Sequence, residues 1–221
     1  SFGISGTLPL GHIRVAEDSQ YDRKKAIKII EKRLEQCPWL SKLRGKTLYA
    51  IGGSWRAIAL LYIEQIKYPL HVLDNFTMNN SDARTFTKLL GQSSSRSFEK
   101  MGRVALSRAQ TMPYAALVLN CLIKVTKPKD IIFSGYGLRE GQFFKMLKSS
   151  SNEIDPLINA CTGFALRSGR FSINGGEIAS WMAPLFAKET DNYHRLCHAA
   201  ALLSDIGWTE HPDYRAIHSF I

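Results

Sequence analysis

Hydrophobic and polar positions along this chain follow two different periods. Between Tyr21 and Cys37, the residues Ala26, Ile27, Ile29, Ile30 and Leu34 fall on one side of a 3.6-residue repeat. Lys24, Lys25, Lys28 and Lys32 fall on the other, which predicts an amphipathic helix that Pro38 stops. Leu48-Tyr49-Ala50-Ile51 is a short apolar run bounded by turn residues and reads as a buried strand. A helix follows to about Lys67, with Ile58, Leu61, Tyr62 and Ile66 as its inner face. Near the start, Gly6 to Glu17 alternates loosely through Leu8, Leu10, Ile13 and Val15, which predicts a strand or a strand pair.

The alternation continues. Asn80 to Gly91 reads as a helix capped by Asn80 or Ser81, followed by the polar loop 91–95. Ser97 to Arg108 and Pro113 to Lys124 read as two more helices, the second so apolar that it must be buried. Asp130-Ile131-Ile132-Phe133-Ser134 is a second buried strand, Gly135-Tyr136-Gly137 a turn, and Leu138 to Leu147 a helix. Strands alternating with helices predict an α/β unit. The polar run Lys148 to Asn152 marks its end, giving an α/β domain over residues 1–149. Past it no strand is convincing; Ile154–Ser168, Gly175–Phe186 and Tyr193–Ser204 predict an all-α segment over residues 150–221.

Composition narrows the class. The 221 residues are 45% apolar, enough for a packed core, and no apolar run approaches the roughly 18–20 residues that cross a bilayer. Ser1 opens neither a signal nor a transit peptide, so the expectation is a cytoplasmic protein without membrane contact. Cys37, Cys121, Cys161 and Cys197 lie far apart without metal-ligand spacing and read as reduced thiols. Net charge is +10 and unevenly spread: up to residue 110 there are 18 Lys and Arg against 9 Asp and Glu, and beyond it 11 against 10. A basic first half suits nucleic acid, a membrane surface or a phosphorylated metabolite alike, so charge by itself does not choose among them.

The candidate chemistry lies at the two strand-glycine-helix joints. Gly52-Gly53-Ser54 lets the backbone approach a ligand closely, and the helix start after it offers amide N–H groups to an anion. Ser54 is placed to cap that helix, and Arg56 adds a forked cation in its first turn. Gly135, Gly137, Arg139, Glu140 and Gly141 form the second joint, where ligands of open α/β sheets also collect.

Gly52-Gly53-Ser54-Trp55-Arg56-Ala57-Ile58-Ala59, Tyr68-Pro69-Leu70-His71, Ser107-Arg108-Ala109-Gln110-Thr111-Met112-Pro113 and Gly137-Leu138-Arg139-Glu140-Gly141 occur in an order and spacing that resembles the exopolyphosphatase and guanosine pentaphosphate phosphohydrolase (Ppx/GppA) family. Pro9-Leu10-Gly11-His12-Ile13-Arg14 resembles the family strand that follows its Asp-x-Gly-Gly-Gly-Ser loop. The resemblance implies the second lobe of an actin/sugar-kinase-like (ribonuclease H-like) fold, followed by the start of a helical domain related to metal-dependent His-Asp phosphohydrolases.

It also implies an enzyme that hydrolyses terminal phosphoanhydrides, using Mg²⁺ and water, with inorganic polyphosphate or guanosine penta- and tetraphosphate as partner rather than nucleic acid. Gly52, Gly53, Ser54 and Arg56 would face the phosphates, while Gly135, Gly137, Arg139, Glu140 and Gly141 would form the interlobe connecting loop. The catalytic Glu of the family belongs to a first lobe that has no match here, so this chain resembles part of a longer protein and is expected to be inactive alone. Ser204-Asp205 stands where the helical domain's relatives carry His-Asp, so no metal is expected there, and His194, His198, His211 and His218 read as surface or capping residues. Two rival readings are a polyanion-binding module and a dimerisation module acting through the helical tail.

Overall fold

A computed structural model describes residues 3–70, 72–94, 97–98, 109–146, 155–168 and 175–220. The chain divides into two compact units, Ser1–Phe144 and Lys145–Ile221.

In the first unit the order is α1 (His12–Asp18), α2 (Arg23–Leu34), a 3-10 turn (Pro38–Leu43), β1 (Leu48–Ile51), α3 (Gly53–Gln65), β2 (Phe76–Asn79), α4 (Asn80–Gln92), α5 (Met112–Thr126), β3 (Asp130–Ser134) and α6 (Leu138–Met146). The three strands form one sheet in the order β1-β3-β2, with β1 parallel and β2 antiparallel to β3. Leu48 sits opposite Ile131 and Ile51 opposite Ser134, so both strands end at one level and the chain leaves the sheet side by side at Gly52 and Gly135.

Helix α5 separates two cores. On one side it packs with Ile58, Phe86 and Leu90 onto the sheet face made by Ala50, Phe76, Met78, Ile131 and Phe133. On the other, its Tyr114, Leu117, Val118 and Cys121 meet Val15, Ala26, Ile30 and Leu34. Such an arrangement requires a helix that is apolar all round, and α5 buries eleven of its fifteen residues. The buried Cys121 thiol is pushed up to about 11, chiefly by desolvation, with the nearby Glu31 adding to it.

Several sequence expectations change here. Gly6 to Glu17 contains no described strand: His12–Asp18 is a helix, because Val15 and Ala16 bury together on one helical face while Ile13 stays exposed. β1 is half-buried rather than buried, with Ala50 inside and Tyr49 and Ile51 63% and 56% exposed on the opposite face. Helix α2 ends at Leu34, four residues before Pro38, which instead opens the 3-10 turn. Ile66, expected on the inner face of α3, lies beyond its last residue and is exposed.

The cap of α4 is Asn79, whose side chain accepts from the Asp82 amide, not Asn80 or Ser81. Strand β2 went unpredicted; Phe76-Thr77-Met78-Asn79 does alternate inward and outward, but four residues are too few to stand out beside a turn. The helix expected over Ser97–Arg108 and the polar boundary over Lys148–Asn152 lie almost wholly outside the described residues.

All described elements of the second unit are helical, as expected: α7 (Pro156–Ser168), α8 (Gly175–Met182), α9 (Asp191–Leu203), α10 (Arg215–Phe220) and two 3-10 turns. Cys161 and Ala165 of α7 pack against Ala199 and Leu202 of α9. Asp155 caps α7 by accepting from the Leu157 and Ile158 amides and also receives a two-pronged contact from Arg195 at 2.5 and 2.8 Å. The Arg195 hydrogen bonds, ahead of the backbone ones, hold the Asp155 carboxyl down at about 2.

Candidate functional site at the carboxyl ends of β1 and β3

Gly52 is the N-cap of α3 at φ 130° and ψ 152°, a backbone conformation open in practice only to glycine. Having no side chain, Gly52 supplies no cap bond of its own. Ser54, expected as the cap, sits inside the first turn instead, and its hydroxyl lies 3.1 Å from Nδ1 of His12, the first residue of α1. The two side chains border a small cavity of about 200 Å³ that is also lined by Leu10, Gly52, Trp55 and Val118.

Arg56 connects the two joints: its Nη1 donates to the Gly135 carbonyl at 2.9 Å. The second joint is tied down by its own acceptors. Asp74 takes the Gly135 amide at 2.8 Å and the Ser134 hydroxyl at 3.3 Å, and the Ser134 oxygen in turn takes the Tyr136 amide at 3.1 Å. Glu140 accepts the Gly137 amide at 2.7 Å, as the carboxylate of a capping arrangement does. Backbone N–H groups, its own first and that of Gly137 next, hold the Glu140 carboxyl below the ordinary glutamate range, with Arg139 and Arg56 adding a weaker pull.

Gly52, Gly53, Ser54 and Arg56 are therefore brought together with Gly135. Gly137 and Glu140 form the next turn of the same end of the sheet, while Arg139 and Gly141 lie exposed on α6. Sequence reasoning missed His12 and Asp74. His12 was assigned to a strand, and Asp74 lies before an unpredicted one, so neither had a place near the joints. Chemically, this end of the sheet places a helix start, a hydroxyl and an imidazole close together, groups of the kind that bind anions.

In the second unit, Ser204 donates to the Ala201 carbonyl and Asp205 pairs with Arg215 at 3.6 Å. His211 accepts the Asp213 amide and lies against the Tyr214 ring, which is a turn-holding role.

Glycine turns at the carboxyl ends of neighbouring parallel strands place this chain among open α/β proteins, whose ligands collect at that end of the sheet. This chain belongs to the Ppx/GppA phosphatase family, whose model matches residues 8–150, and the exopolyphosphatase C-terminal model matches residues 157–221. The chain is similar to the crystal structure of the Aquifex aeolicus Ppx/GppA family member, at 18% identity and a TM-score of 0.50 over 67% of this chain and 49% of that one. It is also similar to the type II variant of the Aquifex aeolicus Ppx/GppA phosphatase, at 20% identity and a TM-score of 0.48 over 63% and 48%. The fold is α/β, that of the Ppx/GppA family member it resembles, and the chain spans about half the length of the solved structures it matches. No curated protein matches the sequence significantly.

Proposed function

We propose that this chain is one lobe of an exopolyphosphatase-type hydrolase that removes terminal phosphate from inorganic polyphosphate or guanosine pentaphosphate, with Gly52, Gly53 and Ser54 lining one wall of the phosphate cleft. The observation that supports this reading most is the asymmetry of the two joints. At β1 the N-cap is Gly52, which has no side chain of its own, and Ser54 and His12 stand beside the helix start, whereas at β3 carboxylates take the amides of Gly135 and Gly137. The two carboxylates at the second joint repel an anion, which leaves the first joint the better suited of the two.

The two carboxylates at this end of the sheet, Asp74 and Glu140, are both engaged by backbone N–H groups and are poorly suited to activate water. The reaction then needs a general base from outside the described residues, and the 221-residue chain alone should bind without turnover. No group of three His, Cys, Asp or Glu side chains converges among the described residues, and Mg²⁺ would be held largely by the substrate phosphates and water.

Titration of the labelled chain with tripolyphosphate tests the reading. The amide resonances of Gly52, Gly53 and Ser54 should shift, and those of Gly135 and Gly137 should stay in place. Shifts confined to the second joint would overturn it, as would phosphate release from polyphosphate above a buffer control.

A further inference from the structure

A second concavity of the first unit lies away from both joints. It is an open groove of about 880 Å³ between α2, α4 and α5, and it shares no lining residue with the cavity beside Gly52. Five cations line it: Arg23 and Lys24 from α2, Arg84 and Lys88 from α4, and Lys124 from α5. None of its described lining residues is acidic. A solvated helix surface ordinarily interleaves both signs, so one-sided charge across a concavity is a different arrangement.

The groove is also built rather than incidental. The Arg23 guanidinium is clamped at the rim, donating to the Gln92 carbonyl at 2.6 Å and the Ser93 carbonyl at 2.5 Å. The Asn120 amide donates to the Arg84 carbonyl and the Thr87 hydroxyl, which fixes α5 against α4. Ile27 and Leu117 give it an apolar floor. Arg84 and Lys88 stand four residues apart on α4, a like-charge pair that weakens a helix unless an anion compensates it. Neither has a salt-bridge partner among the described residues, and Lys124 shares Glu31 through an exposed contact at 3.2 Å.

The lining favours one kind of polyanion. Proteins that hold single-stranded nucleic acid pair their basic grooves with aromatic rings on which bases stack. No aromatic side chain is among the described residues that line this groove. What it offers is charge and amide hydrogen bonds, which suit a chain of phosphates without bases.

We propose that the groove between α2, α4 and α5 is a second anion site that holds a condensed phosphate chain, separate from the Gly52 joint. The site stands on the groove alone and does not require that the Gly52 joint bind phosphate.

The test is a titration of the whole chain with long-chain polyphosphate over a range of salt concentrations, using three variants. Arg84→Gln/Lys88→Gln removes two exposed groove cations with residues that keep the helix. It should weaken binding about tenfold and flatten the slope of log K against log salt by about 1.5, the share of two phosphate contacts. Lys42→Gln/Lys46→Gln removes two exposed cations elsewhere and should change affinity less than about twofold if the groove is specific. Ser54→Glu places a carboxylate at the Gly52 joint and reports on that site alone.

Equal losses from the groove and control variants would overturn the proposal, since general surface charge would then account for binding. So would loss confined to Ser54→Glu, a result that leaves the joint reading intact. Absence of polyphosphate binding by the wild-type chain would overturn it too. Binding of single-stranded oligothymidine as tight as polyphosphate, with the same dependence on Arg84 and Lys88, would replace condensed phosphate by nucleic acid as the ligand and overturn the assignment.

Discussion

The joint between β1 and α3 and the joint between β3 and α6 share one design of strand, glycine turn and helix, but they treat their backbone amides differently. At the second, Asp74, Ser134 and Glu140 take the amides of Gly135, Tyr136 and Gly137. At the first, Gly52 is the cap and the nearest hydroxyl, Ser54, is turned towards His12. Burial divides them as well: α3 buries Ala57, Ile58, Ala59, Leu61 and Ile63, whereas α6 buries no residue within its own unit's surface. Glycine spacing is therefore insufficient to mark an anion site. A carboxylate three residues into the helix fills the place that an anion would take.

The greatest contrast should appear in packing. Ile58 on α3 is fully buried against the sheet, and Ile58→Ala should cost about 2–5 kcal/mol through lost contacts and the cavity left behind. Phe143 on α6 is 70% exposed, and Phe143→Ala should stay within about 0.5 kcal/mol. Urea denaturation of both variants checks this. Similar losses would mean that α6 is as firmly packed as α3, and the comparison of the joints would fail.

Next in size are the glycines. Gly52 at φ 130° has open space where a Cβ would go, so the cost of Gly52→Ala is backbone strain alone, about 1–3 kcal/mol. The corresponding change at the second joint should have the opposite sign. Gly141 lies inside α6 with open space around it, and Gly141→Ala should stabilise that helix by about 0.5–1 kcal/mol, read as slower amide exchange over Leu138–Met146. A loss at Gly141 as large as that at Gly52 would remove the distinction between them.

The strongly periodic parts of this chain were legible from sequence. The core strands β1 and β3, helix α5 and the helical second unit all appear where apolar spacing puts them, because long or wholly apolar segments leave one way to bury themselves. Short segments were not. His12–Asp18 has two buried residues, which fit a strand alternation as well as a helical face, and only packing against α5 decides between them. For the same reason the site was half visible. Gly52, Ser54 and Arg56 announce themselves through residue type at a joint. His12 and Asp74 arrive from 42 residues before Ser54 and 61 before Gly135, a proximity that only the sheet register and the docking of α1 create.

The smallest effect tests the carboxylate that closes the second joint. Glu140 is fully exposed, yet the amides of its own residue and of Gly137 lower its pKa in the folded chain. A carboxyl whose folded pKa lies below its unfolded one binds protons more weakly when folded. Its contribution is full above the unfolded pKa and disappears as pH falls through the folded one. At neutral pH, Glu140→Gln should therefore let the first turn of α6 exchange its amides slightly faster than the parent, since a neutral amide is the weaker acceptor for the Gly137 N–H. Below the ordinary glutamate range the two proteins should converge. Asp22 and Asp155 titrate in the same acid region but are common to both chains, so the difference between parent and variant isolates Glu140. A difference that persists unchanged into acid would show that the Glu140 contact owes nothing to its charge, and the second joint would then be closed by shape alone.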